Sequence, residues 1–189
     1  MQKRRCHWAR GDAFYVRYHD EEWGVPLHDD KQLFEFLVLE GFQAGLSWHC
    51  VLKKRENFRK AFDGFDAEKV ARYGEGKIAS LMRDAGIIRN RQKIEATVAN
   101  ARAFLTVREE FGSFDKYIWG FVNGKPVVNQ WKVGTDTPAK TALAEKISAD
   151  LKKRGFKFVG PTVVYSHMQA TGMVNDHLIS CYRWKEVQE

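Results

Sequence analysis

Residues 84–94 read DAGIIRNRQKI, and the fold follows from how this stretch joins its neighbours. The helical pattern before it stops at Gly86, two β-branched residues follow, and a new apolar period of helical spacing opens within about five positions. Gly86 is expected to supply a left-handed turn, with Ile87 and Ile88 pinning the two helices together. The second helix runs over 91–111 through Ile94, Val98, Ala101 and Leu105, and stops at Gly112.

Outward from there the same punctuation repeats. Helices are expected at 30–44, behind Asp29 or Asp30 as cap, and at 48–61 behind Ser47. Shorter ones fall at 66–73 and 75–85, ended by Gly74 and Gly86, then 113–122, 138–153 and 161–171. The exceptions are the two termini and 123–134, NGKPVVNQWKVG, which reads as a loop or hairpin. Strands do not alternate with helices, which excludes a parallel-sheet architecture. The fold class is all-α, as a single globular domain over 1–189.

Composition fits that class. The 189 residues are 44% apolar and 13% aromatic with four prolines, which supports a real core and excludes disorder. No apolar run approaches the roughly 18 residues of a membrane span. The opening MQKRRCHWARGD has no apolar stretch behind its basic residues, unlike a signal peptide. Three cysteines cannot frame a disulfide scaffold. A soluble cytoplasmic protein is expected. Lys and Arg number 31 against 24 Asp and Glu, a net +7, which suits an anionic partner such as nucleic acid but also lies in the range that ordinary solubility needs.

The connection at 84–94 suits that partner. Arg89, Arg91 and Lys93 surround a helix N-terminus whose free amides can cradle a phosphate, the pattern of a helix-hairpin-helix motif over about 75–105 that grips DNA backbone without reading sequence. The alternative is an ordinary αα-hairpin with a solvated basic turn. Lys53-Lys54-Arg55 and Lys152-Lys153-Arg154 extend such a face or are plain helix ends.

Two further sets of residues carry chemistry. Cys6 and His19 near the start, and His177 and Cys181 four apart near the end, supply two sulfurs and two imidazoles, a closed tetrahedral set for Zn²⁺. Such a site has no open position, so it is structural and ties the chain ends together. The alternative is two small buried cysteines and a surface histidine. Cys50 reads as core, and His7, His28, His49 and His167 have no spaced partner. Glu40 continues the apolar stripe of Leu33 and Phe36, where a carboxylate is costly to bury unpaired. GFQAGLSW follows it, and Trp8, Tyr15, Tyr18 and Trp23 crowd into sixteen residues upstream. An acid among aromatic rings suits a flat cationic heterocycle, which the rings stack on and the acid accepts from. The alternative is a rim glutamate paired to an arginine over aromatic core.

Together these segments resemble the constitutive bacterial 3-methyladenine DNA glycosylases (type I) of the helix-hairpin-helix glycosylase superfamily. The likeness runs from Cys6 to Cys181 and is carried by RCHW (5–8), YHDEEWGVP (18–26), LEGFQAGLSW (39–48), VLKKRENFRKAF (51–62), DAGIIRNRQKI, LKKRGFKFVGPT (151–162) and MVNDHLISC (173–181). It implies a structural zinc on Cys6, His19, His177 and Cys181. It also implies that Glu40 and Tyr18 hydrogen-bond a flipped base on which Trp48 stacks, with Trp8, Tyr15 and Trp23 lining the same pocket. The backbone of double-stranded DNA containing 3-methyladenine would lie on Gly86, Ile87, Arg89, Arg91 and Lys93, with Gly45 and Leu46 pressed into the gap. Lys93 is expected to contact phosphate, not to form a Schiff base, since the family is monofunctional. Asp115 is expected to be structural, an N-cap after Ser113, because the family lacks the catalytic aspartate of its superfamily. A monomer is the family expectation. Two competing readings are a non-catalytic zinc-stabilised module for damaged or bent duplex, and a catalytic zinc hydrolase.

Overall fold

The computed structural model describes residues 3–189. It is mostly helical: α1 Ala13–Glu21, α2 Asp30–Gln43, α3 Trp48–Lys53, α4 Arg55–Ala61, α5 Ala67–Val70, α6 Glu75–Arg83, α7 Arg91–Phe111, α8 Phe114–Gly120, α9 Ala142–Lys153, α10 Pro161–Ala170 and α11 Tyr182–Glu186. No helix among the described residues is long and apolar enough to cross a membrane.

The centre of the fold is α2, buried from Leu33 to Phe42 and packed by α3, α7, α8 and α10. A helix buried on all sides has to be apolar on all sides, and its two buried acids, Glu35 and Glu40, therefore stand out. Asp29 caps it by accepting from the Gln32 amide at 2.9 Å. Asp30, in its first turn, reaches across and accepts from the Phe114 and Asp115 amides, so it serves the N-terminus of α8. Ser113 is the actual cap of α8, and Asp115 pairs with His28. Asp115 is therefore not the cap.

The structure departs from the sequence reading in four places. The helix expected over 48–61 breaks at Lys54, whose amide closes a tight turn instead of continuing α3. The termini are helical at α1 and α11. The 123–134 stretch does not fold back on itself: β1, Val127–Val128, pairs in parallel with β2, Val174–Asn175. A pairing so distant along the chain leaves no local signal. Finally, Gly86 is absent from the left-handed residues. Its hydrogen is needed for space, since a Cβ there would sit 2.9 Å from Asp84 Oδ1 and 3.3 Å from the Asn57 side chain. Lys54 and Asn57 of the preceding helices donate to the Gly86 carbonyl, so the connection 84–90 is pinned from below. Ile87 is buried against the core as expected, with Ile88 packed beside it.

Candidate active site

The pocket is built where α1, α2, α3 and α10 meet the chain ends. It is a cavity of about 240 Å³ lined by Trp8, Tyr15, Tyr18, Trp23, Glu40 and Trp48, every aromatic and acidic residue the sequence singled out for it. That is below the roughly 300–1,000 Å³ typical of drug-sized ligand sites, and suits one small planar ring system. Tyr15 and Tyr18, three apart on α1, share a face and lie nearly parallel, 6.4 Å between centroids. Trp8 packs edge-on against Trp23 at 5.0 Å and tilted on Tyr15 at 5.2 Å. Trp48 opens α3 just after its cap Ser47, 5.7 Å from Tyr18 and stacked over Phe36 at 6.4 Å.

Glu40 is 3% exposed, and its Oε2 has no hydrogen-bond partner. Burial alone pushes its carboxyl up to about 8, so at neutral pH it is mostly a neutral acid. The arginine pairing that the alternative reading required goes instead to Glu35, five residues earlier on α2. Glu35 is bound by Arg55 and Arg59, and Arg55 also reaches Glu22. Six buried side-chain atoms among the described residues lack a partner: Tyr18 Oη, Glu40 Oε2, Trp48 Nε1, both ring nitrogens of His167, and Arg183 Nε. The residues that carry the first three all line this one cavity. An unmet buried polar group costs about 1–3 kcal/mol, so three such residues around one cavity mark a site suited to a polar ligand.

Sequence reasoning missed part of the wall. Gln43, Ser166, Gln169, Thr137 and Asp176 also line the cavity. Gln43 lies three residues after Glu40, a spacing that was readable. Asp176 was not: it is buried and accepts from Asn129, Trp131, Tyr165 and Gln169, joining three distant segments behind the pocket.

The four metal candidates come together, all buried, with donor atoms within 4.8 Å of one another. Cys6 Sγ lies 3.6 Å from His177 Nδ1, and Cys181 Sγ lies 3.5 Å from His19 Nε2 and 3.7 Å from His177 Nδ1. Zinc–sulfur bonds near 2.3 Å and zinc–nitrogen bonds near 2.0 Å at tetrahedral angles put sulfur and nitrogen roughly 3.5 Å apart, so the set fits. Outer contacts orient both rings. His19 Nδ1 bonds Asp20 at 2.8 Å, Asp20 is gripped by Arg5, and His177 Nε2 bonds the Trp23 carbonyl at 3.0 Å. Gly24, in a left-handed turn, keeps that approach open, since a Cβ would meet His177 Nε2 at 2.9 Å. His177 and Cys181 lie on a turn closed by Cys181 N–H to Leu178, not on a helix.

The connection before α7 holds one surprise. Lys93 is buried and turned inward, donating to the carbonyls of Phe42 at 2.8 Å and Ala44 at 2.6 Å. It is therefore not free for a phosphate. Arg91 is exposed but bonded to Glu75 and Glu95, and Arg89 has no acidic partner among the described residues. Gly45, left-handed at φ 81°, and Leu46, 43% exposed, project from the turn after α2 beside the cavity.

A mostly helical scaffold with a small aromatic cavity and a buried, partnerless acid is built to bind one planar ring system. Comparison with known proteins agrees. The methyladenine glycosylase family model matches residues 8–184, and the chain belongs to that family. It is 51% identical to the DNA-3-methyladenine glycosylase 1 of Escherichia coli over 94% of this chain and 95% of that one. A crystal structure of a 3-methyladenine DNA glycosylase I superposes with a TM-score of 0.92 at 47% identity, covering 95% of this chain and 98% of the other. A tyrosine-to-phenylalanine variant of such an enzyme, solved in complex with 3-methyladenine, also gives 0.92, at 39% identity over 98% and 97% of the chains.

Proposed function

We propose that this cavity excises 3-methyladenine from alkylated duplex DNA by hydrolysis of the N-glycosidic bond, the first step of base excision repair. The observation that carries this is that Tyr18, Glu40 and Trp48, each with a buried polar atom lacking a partner, line one cavity sized for one base. A purine alkylated at N3 is cationic, so its glycosidic bond is already weak and its departure neutralises it. Water takes its place at the sugar carbon. The protein therefore has to extrude the nucleotide, stack the ring on Trp48 and answer its charge and amine edge with Glu40 and Tyr18. No strongly basic nucleophile is required, and a Schiff base at Lys93 is disfavoured by its inward hydrogen bonds.

The remaining assignments rest on the same frame. Cys6, His19, His177 and Cys181 hold a structural Zn²⁺. Their four donors and their oriented rings support a closed site with no position for substrate, which disfavours the zinc-hydrolase reading. The 75–105 region acts as the helix-hairpin-helix: the capped N-terminus of α7 and the free Arg89 meet the phosphates, while Arg91, paired on the surface with Glu75 and Glu95, and the inward Lys93 shape the motif. Gly45 and Leu46 fill the gap left by the extruded nucleotide. The chain works as one domain and as a monomer.

Incubation of the folded protein with methylated duplex DNA, followed by chromatography of the released bases, tests this reading. Free 3-methyladenine with little 7-methylguanine is expected. Duplex binding without any released base would overturn it in favour of a binding module.

A further inference from the structure

Beside the base cavity lies a second cleft of about 450 Å³, and it shares the wall formed by Cys6, His7, Gly134 and Leu178. Lys3, Arg4, Arg5, Arg10 and Lys132 line it, and no carboxylate does. Arg5 is spent on Asp20, and Lys3 sits over the Tyr182 ring. Arg4, Arg10 and Lys132 have no acidic partner among the described residues. Elsewhere on the surface several arginines are neutralised, among them Arg59 by Glu35 and Glu56, Arg108 by Glu68, and Arg154 by Glu110 and Asp150.

The cleft is built, not incidental. One wall is fastened where Tyr182 N–H donates to the Arg4 carbonyl at 2.9 Å, the other where Ile179 N–H donates to Trp131 at 3.0 Å. Both walls thus hang from the segment that carries His177 and Cys181. The His7 ring lies so close to Gly134 that a Cβ there would fall 1.9 Å from its Cε1, so only glycine lets the two walls meet.

We infer that this cleft is a second binding site for the DNA backbone, in which Arg4, Arg10 and Lys132 hold phosphates next to the extruded nucleotide. The inference rests on the duplex-DNA reading above. A nucleotide seated in the cavity carries its own phosphates at the mouth, and the strand must leave over one of the walls. On the side of Gln43 and Trp48 it meets Leu46 and the connection before α7. That connection supplies backbone amides but only one free cation, because Arg91 and Lys93 are engaged within the protein. On the side of His7 and Gly134 it meets three unneutralised cations. The cleft supplies the long-range charge that the connection lacks.

The test is the triple variant Arg4→Ala, Arg10→Ala, Lys132→Ala, compared with wild type and with the charge-preserving Arg4→Lys, Arg10→Lys, Lys132→Arg. Binding of a duplex carrying a stable abasic analogue is measured against salt. Each lost phosphate contact lowers the slope of log K on log salt by about 0.9, so the alanine variant should lose about two to three units of slope. In the excision assay its KM rises about tenfold or more at physiological salt, with kcat and affinity for free 3-methyladenine unchanged. The charge-preserving variant keeps the wild-type slope. A wild-type slope in the alanine variant, or loss of free-base binding along with DNA binding, overturns the assignment. A wild-type protein that releases no base, yet whose slope depends on the three cations, would sink the glycosylase reading and leave the cleft standing.

Discussion

The Lys93 ammonium, at the start of α7, closes the C-terminal end of α2 by donating to the Ala44 carbonyl at 2.6 Å, just before the Gly45–Leu46 turn and four residues after Glu40. A cation at a helix C-terminus satisfies carbonyls that have no partner within the helix and meets the negative end of its dipole. Lys93 is therefore a strut between the connection that precedes α7 and the helix that carries the pocket acid. Lys93→Met keeps the packed stem and removes the charge. It should cost about 1–3 kcal/mol in urea unfolding, the range for losing charged hydrogen bonds at buried carbonyls. It should also raise KM for duplex more than it weakens binding of free 3-methyladenine. Borohydride reduction during turnover should trap no covalent DNA complex with wild type, and a trapped complex lost in Lys93→Met would reverse this account.

Glu40 makes stability depend on pH in a defined direction. Its ordinary value is 4.5 and the fold raises it to about 8, so between those values the folded state holds a proton that the unfolded chain has released. Stability contributed by the neutral acid is complete below about pH 4.5 and is lost as pH rises through 8. Each pH unit inside the window costs up to about 1.4 kcal/mol. Glu40→Gln should flatten this slope and leave the protein more stable than wild type at pH 8, by roughly 2 kcal/mol or more. Capture of a cationic base requires the ionised form, so kcat/KM should fall as pH drops below about 8, while Glu40→Gln loses most excision at every pH. Equal pH slopes of stability in the two proteins would remove Glu40 from its buried, uncompensated place.

The legibility of these features in the sequence follows from how local their causes are. The helices over 30–44, 91–111, 138–153 and 161–171 each carried a period and punctuation of their own, and each is found within a few residues of its expected ends. Glu40 was visible because a charge interrupts an apolar stripe, and the four metal candidates because their chemistry is scarce. What sequence could not give was the partner of each cation. Lys93 sits in a basic run yet points inward, and Arg55 sits in another yet pairs with Glu35 on a helix 20 positions upstream. The pairing of β1 with β2 and the four donors on Asp176 likewise join segments distant in the chain.

On the proposed function, Trp48 is expected to contribute through its ring face. It is only half-buried and lies at the edge of the core, so Trp48→Ala should change stability little. Loss of one base–aromatic stack removes about 1–3 kcal/mol, which is roughly a 5- to 150-fold drop in kcat/KM. Trp48→Phe should recover most of it. An unchanged excision rate in Trp48→Ala would place the base elsewhere in the cavity.

The buried ion pairs of Glu35 give a prediction of the opposite kind, large for stability and indirect for chemistry. Glu35 is 4% exposed and Arg55 7%, and Arg55 also lies over the Phe36 ring at 4.9 Å. Glu35→Ala strands the Arg55 guanidinium against an apolar helix, which should cost about 3–5 kcal/mol, whereas the pair itself is worth much less against an apolar substitute. The double variant Glu35→Leu, Arg55→Met should therefore recover much of the loss seen on thermal unfolding. Failure to recover would mean that Arg55 is needed for its second partner, Glu22.

Metal removal should act on the chain ends first. Cys6 and His19 reach His177 and Cys181 across the whole length of the sequence, and the small cluster around them contains few apolar residues: Cys6, Leu178 and Cys181, with Trp8, Trp23, Trp131 and Tyr182 packed outside. So little apolar area cannot hold two tails by itself. A closed zinc site in a small domain is worth on the order of 10 kcal/mol, comparable with the roughly 5–15 kcal/mol total stability of a domain. Cys181→Ser, or prolonged chelation of the wild type, should therefore release the ends and lower the melting temperature sharply. Hydrogen exchange should rise first in 3–10 and 129–136, whose contacts hang from 177–182. The base cavity shares Cys6 and Leu178 with that cluster, so excision should be lost in parallel with the fold. Activity that disappears on chelation while melting and exchange stay unchanged would instead assign the metal to the chemistry.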